Sequence, residues 1–264
     1  MARSPAGVLD PRAGERRFSL ALHDPAPDVA RFVEQHWIVE WALPAGTRHV
    51  QETLPGPHVN LVFEGRPAGI YGVVTERFER VLEGRGRAHG VKFRPGGFHA
   101  FLGAPVAGLT DRRVDIGAVF GPAGEALEAA LLDVSDHGER VRRVEAMLRA
   151  AAPAAADPHA EAAAAAVAAI AADRAITRVD DVVAATGLHK RALQRLFRRY
   201  VGVGPKWVVR RHRLLEAVEA AAAGDRVAWA ALAAELGYAD QAHLTRDFRA
   251  LVGQPPAAYA ARVG

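Results

Sequence analysis

The stretch Thr186–Ala217, TGLHKRALQRLFRRYVGVGPKWVVRRHRLLEA, decides how the C-terminal part of this chain is read. It returns in altered form as Leu232–Arg262, LAAELGYADQAHLTRDFRALVGQPPAAYAAR. At an offset of 51 residues, Leu193, Arg195, Phe197, Arg198, Gly202 and Pro205 fall on Leu244, Arg246, Phe248, Arg249, Gly253 and Pro256. Gly187 and Gly237 match at an offset of 50, which places one extra residue early in the second copy's helix. Matches across so many residue types mark an internal duplication. Each copy reads as an apolar helix, a glycine turn and a second helix with a basic face, which is the pattern of a helix-turn-helix unit. Glycine suits that turn because it takes positive φ without a steric penalty.

The second helix of the first copy separates into two faces. Leu193, Leu196, Phe197 and Tyr200 recur at helical spacing and are predicted core, while Lys190, Arg191, Gln194, Arg195 and Arg198 fall on the opposite side. Across Gly187–Arg213 there are nine basic residues and no acidic one. A segment of that kind faces solvent or a polyanion. The chain as a whole carries a formal charge of +4, but the excess sits at one end: 15 Lys and Arg against 9 Asp and Glu from residue 173 onward, 19 against 21 before it. Arginine can donate two hydrogen bonds to guanine and glutamine can pair with adenine, so an exposed Arg-x-x-Gln-Arg face suits a major groove.

The region from about Ala160 to Gly264 resembles the double helix-turn-helix DNA-binding domain of AraC/XylS-type transcriptional regulators. Gly237-Tyr238, Leu244-Thr-Arg246, Phe248, Gly253 and Pro256 correspond to that family's signature. The resemblance implies two recognition helices, joined by a long linker helix over Lys206–Ala223, entering successive major grooves of double-stranded DNA. By position, Arg191, Gln194 and Arg195 would read bases from the first unit, and Gln241, Thr245 and Arg246 from the second. Phosphate contacts are expected from Lys190, Arg198, Arg199, Lys206, Arg210 and Arg211, which would set register without reading sequence. Some of these would instead pair with Glu216 or Glu219 along the linker helix. Three departures stand out. His189 replaces the family's usual serine cap and is expected to cap poorly. Val183 occupies a small-residue position, implying looser packing. Ala242 and Asp247 leave the second recognition helix less basic, so the first unit is expected to dominate affinity.

Between Ala151 and Ala172, 15 of 22 residues are alanine, with Pro153 and Pro158 in the first half. This reads as a linker running into a helix over Ala160–Ala172, and divides the chain into 1–152 and 159–264. Further helices are expected near 179–186, 190–201, 205–223, 227–236, 240–252 and 255–262, with turns at Gly187, Gly202, Gly224, Gly237 and Gly253. Ahead of the boundary, β-like runs at His36–Trp41, Arg48–Leu54, Val59–Glu64, Ile70–Val74, Phe78–Leu82 and His89–Arg94 alternate with turn residues. That spacing predicts an antiparallel sandwich or barrel, followed by helices Ala123–Leu132 and His137–Ala150. The stretch Gly90–Gly121, GVKFRPGGFHAFLGAPVAGLTDRRVDIGAVFG, resembles the end of the cupin-like barrel in the sensor half of such regulators. The expected class is therefore α+β: a cupin-like β-barrel with flanking helices, then an all-α domain with two helix-turn-helix units.

A barrel can enclose a small molecule. Trp37, Tyr71 and His89 are the residues expected to line such a pocket, with Trp41 and Lys92 weighed beside them. His49, Gln51, His58, Asn60 and His89 are metal-ligand candidates by type, but no His-x-His pair exists, and no metal, cofactor or catalytic residue is expected. The chain lacks a G-x-S-x-G elbow and a phosphate-binding G-x-x-x-x-G-K-[ST] loop. It has no cysteine, which excludes disulfides, thiolate metal sites and the cysteine nucleophile that alkyl-transfer repair proteins need. That composition fits a reducing cytoplasm. The longest apolar run, Ala162–Ala172, is too short to cross a bilayer, and the first residues lack a signal-like apolar stretch. The expectation is a cytoplasmic, non-enzymatic DNA-binding regulator, controlled by a small-molecule effector or by homodimerisation through 123–150. The alternatives are a cupin-type metalloenzyme fused to a DNA-binding domain and a ligand-independent DNA-binding protein.

Overall fold

Side-chain alternation in the N-terminal part builds eight strands: β1 (Phe18–His23), β2 (Val33–Ala42), β3 (Arg48–Thr53), β4 (Asn60–Phe63), β5 (Gly69–Tyr71), β6 (Phe78–Glu83), β7 (Arg85–Phe93) and β8 (Arg113–Asp115). The computed structural model describes residues 17–223 and 227–263. The turn expected at Gly224 and residues 1–16, read for an export signal, lie outside the described residues. Six strands form one antiparallel sheet in the order β1-β2-β7-β4-β5-β8, and β3 and β6 pair with each other as a separate ribbon. Among the described residues the expected barrel is therefore not a closed sheet.

Register decides what each face of the large sheet meets. His36 lies opposite Val91, Ile38 opposite His89, and Leu61 opposite Val91, so these share one face. That face packs beneath three helices, α1 (His99–Leu102), α2 (Gly117–Ala130) and α3 (His137–Ala151). Leu61, Phe63, Ile70, Val91 and Phe93 join Leu127, Leu131, Val144 and Leu148 in the main core. Along α3, Val141, Val144, Met147 and Leu148 form a stripe that is buried throughout. On the opposite face Trp37, Val39, Trp41, Val62 and Ala88 pack with Leu82 of the β3–β6 ribbon.

Two glycines of β7 make room for the tryptophans. A Cβ at Gly90 would stand 1.9 Å from the Trp37 ring, and one at Gly86 2.1 Å from the Trp41 ring. Gly90→Ala is expected to destabilise by about 1–3 kcal/mol through overpacking. A thermal melt checks this against Gly108→Ala, where a Cβ meets nothing within 4 Å and Tm should hold.

The same sheet carries a buried pair of imidazoles. His36 Nδ1 and His89 Nε2 are 3.2 Å apart, and Glu145 Oε1 lies 3.5 Å from His36 Nε2. Burial holds both histidines well below the ordinary range, and pushes His212 in the C-terminal part down to about 4. The unfolded chain takes up protons at these groups near pH 6.5 while the folded chain does not. Stability is thus full above that pH and falls as pH drops toward about 4, by about 1.4 kcal/mol per pH unit for each such histidine. Thermal melts should show a lower Tm at about pH 5 than at about pH 7; equal values would contradict the assignment.

Sheet boundaries differ from the expected runs for local reasons. The run Ile70–Val74 leaves the sheet after Tyr71, because Gly72 passes against the Leu109 carbonyl, 1.8 Å from where a Cβ would be, and its N–H bonds to the Arg112 carbonyl. β1 and the three-residue β8 were not expected. α2 begins at Gly117, earlier than Ala123, and kinks at Gly121-Pro122, where Gly121 has φ 56°. The expected segment is the part after the kink.

The C-terminal elements are all helices: α4 (Pro158–Ala172), α5 (Val179–Thr186), α6 (Lys190–Leu196, continued by a wide turn at Phe197–Val201), α7 (Pro205–Ala222), α8 (Trp229–Glu235), α9 (Gln241–Val252) and α10 (Pro256–Val263). Pro158 begins α4 rather than ending a linker: it sits at the first helical position, and Asp157 caps the helix by accepting from His159 N at 2.9 Å. Two apolar clusters form here. One gathers α4 to α6 and the start of α7, the other the end of α7 with α8 to α10, and each takes in one side chain from the sheet-rich part: Val73 in the first, Leu54 in the second. Among the described residues no helix is long and apolar enough to cross a membrane.

Candidate nucleic-acid interface

The two copies of the repeat fold as two helix-turn-helix units. α5 stops at Gly187, at φ 69°, and α8 is followed by Gly237, at φ 76°. α6 starts under His189, whose Nδ1 accepts from Ala192 N at 3.1 Å; α9 starts under Asp240, whose carboxylate accepts from His243 N at 2.7 Å. The weak cap expected at His189 is thus corrected: a neutral imidazole offers one lone pair, and the ring turns it onto the helix end. Caps His189 and Asp240 lie 51 residues apart, as do the helix-ending Gly202 and Gly253. The extra residue of the second copy therefore lies in its turn, before Asp240, and not in its helix.

The faces separate as the spacing predicts. Leu193, Leu196, Phe197 and Tyr200 are buried, while Arg191, Gln194, Arg195 and Arg198 are exposed. On α9, Leu244 and Phe248 are buried, Gln241 and Arg246 exposed, and Thr245 half-buried. Lys206 is exposed in the first turn of α7. Lys190 pairs with Asp180 of α5 at 3.1 Å, both side chains being mostly exposed. Arg199 is turned toward the sheet-rich part, where its Nε lies 3.2 Å from His99 Nε2 and its guanidinium 5.9 Å from the Tyr200 ring centre. Arg210 bonds Asp247 of α9 at 2.6 Å, rather than a glutamate of its own helix.

Residues 182–262 match the model of a family described as a helix-turn-helix domain. That match lies within the region whose repeat resembles AraC/XylS-type regulators. Residues 22–115 match a second family, described as a domain of unknown function, DUF6597. The comparison with curated proteins gives no match. Among solved structures, ToxT from Vibrio cholerae in its P21 form is 9% identical, over 94% of this chain and 99% of that one, at a TM-score of 0.39. ToxT from Vibrio cholerae strain SCE256 with bound unsaturated fatty acid is 10% identical, over 94% and 96%, at 0.38. A likeness of that size fixes neither topology nor ligand for this chain.

Two arginines of the helix-turn-helix domain act inside it. Arg211, expected on phosphate, is 2% exposed, and its Nε donates to the Pro55 carbonyl at 2.6 Å, so it holds the loop between β3 and β4. Burial lowers its pKa to about 10. The expectation failed because the periodicity of α7 places Arg211 beside Val208 and Leu214 on the inner face. Arg213, not singled out by the sequence, is 1% exposed and donates to the carbonyls of Ile170 and Asp173 at 2.8 and 3.0 Å. Its signal was available: it lies four residues after Val209, on the buried stripe. Tyr200 donates to Asp157, the cap of α4, at 2.9 Å, and Thr110 donates to the Gly202 carbonyl at 2.7 Å, so through Thr110 the end of the first recognition helix is also held by the sheet-rich part.

The expected ligand pocket does not assemble. His89 lies on the helix-covered face of the sheet, whereas Trp37 and Tyr71 belong to the opposite face. His89 is fully buried against His36 and Phe63. An open cavity of about 400 Å³ lies instead between α1, α2 and α3 beside Phe101, Phe120 and Met147. Of the residues weighed as metal ligands, His49 and Gln51 meet each other at 3.3 Å. Among the described residues no three His, Asp or Glu side chains gather as a metal would require.

Proposed function

We propose that this chain is a sequence-specific transcription regulator that binds double-stranded DNA and is not an enzyme. The observation that carries the reading is the duplicated helix-turn-helix with an exposed, acid-free basic face on its first recognition helix. Arg191, Gln194 and Arg195 read bases in one major groove, and Gln241, Thr245 and Arg246 in the next. Arg198 and Lys206 contact phosphates, with Lys190 beside them. Residues 159–264 form the DNA-binding unit, and residues 1–152 a sensing or dimerising unit built on a partly open, cupin-like pair of sheets.

Control by that first unit is supported by the way it grips both halves of the second. Val73 enters the core of the first helix-turn-helix and Leu54 that of the second, with Arg211 bonded to Pro55 between them. A small molecule or a second copy that shifts the sheet-rich unit would move both recognition helices together. The test is selection from a randomised duplex library by the full chain. Enrichment of one bipartite sequence is expected; equal retention of all sequences, or of none, overturns the reading.

A further inference from the structure

The internal duplication makes one position stand out. Leu196 of the first unit corresponds, at the offset of 51, to Asp247 of the second. Leu196 is buried in the first apolar cluster. Asp247, on the equivalent turn of α9, keeps 13% of its side-chain exposure and accepts from Arg210 Nη2 of α7 at 2.6 Å. Two other groups face the carboxylate. His243 Nε2 of the same helix is 3.9 Å away, and the Tyr238 phenol, whose ionisation burial pushes up, lies beside it. The duplication thus replaces a core contact with an ion pair between the linker helix and the second recognition helix. Arg210 starts on α7, the helix that also clamps α4 through Arg213.

Apolar contacts between α7 and α9, such as Leu214 and Val218 with Leu244 and Phe248, bury surface without fixing a direction. A charge-assisted hydrogen bond fixes both distance and angle. We infer that Arg210 and Asp247 are a positioning pair that sets the spacing at which the second recognition helix meets DNA relative to the first. This rests on the DNA-binding reading above. Asp247 touches no base in this account, and Arg210 serves the protein rather than a phosphate.

The experiment uses the full chain and a duplex selected by it from a randomised library, together with versions of that duplex lengthened or shortened by one base pair between the two read positions. One base pair turns the groove by roughly a tenth of a helical turn. The unaltered protein should bind the altered spacings about tenfold more weakly, the scale of one mismatched contact. Asp247→Asn and Arg210→Gln should each bind the parent duplex less tightly and discriminate little between spacings. The exchange Arg210→Asp with Asp247→Arg should restore discrimination. Tighter binding by Asp247→Asn with spacing preference kept would mean that the carboxylate only repels phosphate, and overturns the inference. So does an exchange variant that folds, as its melt shows, yet leaves spacing preference lost. A protein that selects no duplex at all fails at the earlier step, and removes the DNA-binding reading together with this one.

Discussion

Replacing Arg195 with alanine should weaken binding to the selected duplex by about 5–150-fold, corresponding to about 1–3 kcal/mol for one bidentate arginine–guanine pair. The loss at Arg246→Ala should be smaller. Arg195 is exposed on a helix that also presents Lys190, Arg191 and Arg198 and carries no acid. Arg246 stands next to Asp247 on a helix capped by Asp240, so the field at its guanidinium is weaker. Arg195→Lys separates the two contributions. It keeps the charge but loses the planar fork, so non-specific binding should hold while preference for the selected sequence falls. A gel-shift titration reads both quantities. If Arg246→Ala costs more than Arg195→Ala, the ranking of the two units is wrong.

What the sequence made legible was periodic and local. The repeat fixed both helix-turn-helix units and their buried and exposed faces, because helical spacing reports which side of a helix meets the core. The same logic, applied to single residues, would have removed Arg211 from the phosphate contacts, since it lies on the buried stripe of α7. Other features depended on register, which no local pattern reports. Trp37 and Tyr71 fall opposite to His89 only because β2, β4, β5 and β7 pair as they do, and the separation of β3 and β6 into their own ribbon is a property of pairing too. The docking of Leu54 and Val73 into the two helical cores joins segments far apart in sequence. The cap at His189 is hidden from the sequence for a different reason: residue type sets a preference, whereas ring orientation decides the bond.

Arg213→Met should cost about 3–5 kcal/mol of stability, the range for removing one partner of a buried ion pair. Replacement of such pairs by apolar groups is often harmless, so the size of the loss has to come from what else the arginine holds. Here it holds three groups. Its guanidinium pairs with Glu216, one turn away, and Nη2 donates to the Ile170 and Asp173 carbonyls at the C-terminal end of α4. Carbonyls at a helix end have no partner within their own helix, and they carry the negative end of its dipole. Methionine keeps the volume while leaving the Ile170 carbonyl without its donor; the Asp173 carbonyl still accepts from Ile176 N at 3.2 Å. Glu216 keeps a partner in Arg174 at 3.3 Å, but that arginine is 80% exposed and screened by solvent. The double variant Arg213→Met with Glu216→Met separates the contributions. It should recover the part owed to the stranded carboxylate and retain the part owed to the unpaired Ile170 carbonyl, about 1–3 kcal/mol. Denaturant midpoints at equal slope measure this. A single-variant loss below about 1 kcal/mol, near the net value of one ordinary hydrogen bond, would show that α4 and α7 are joined by packing alone. The first helix-turn-helix would then owe its place on the linker helix to Ile170, Val208 and Val209 rather than to the buried charge.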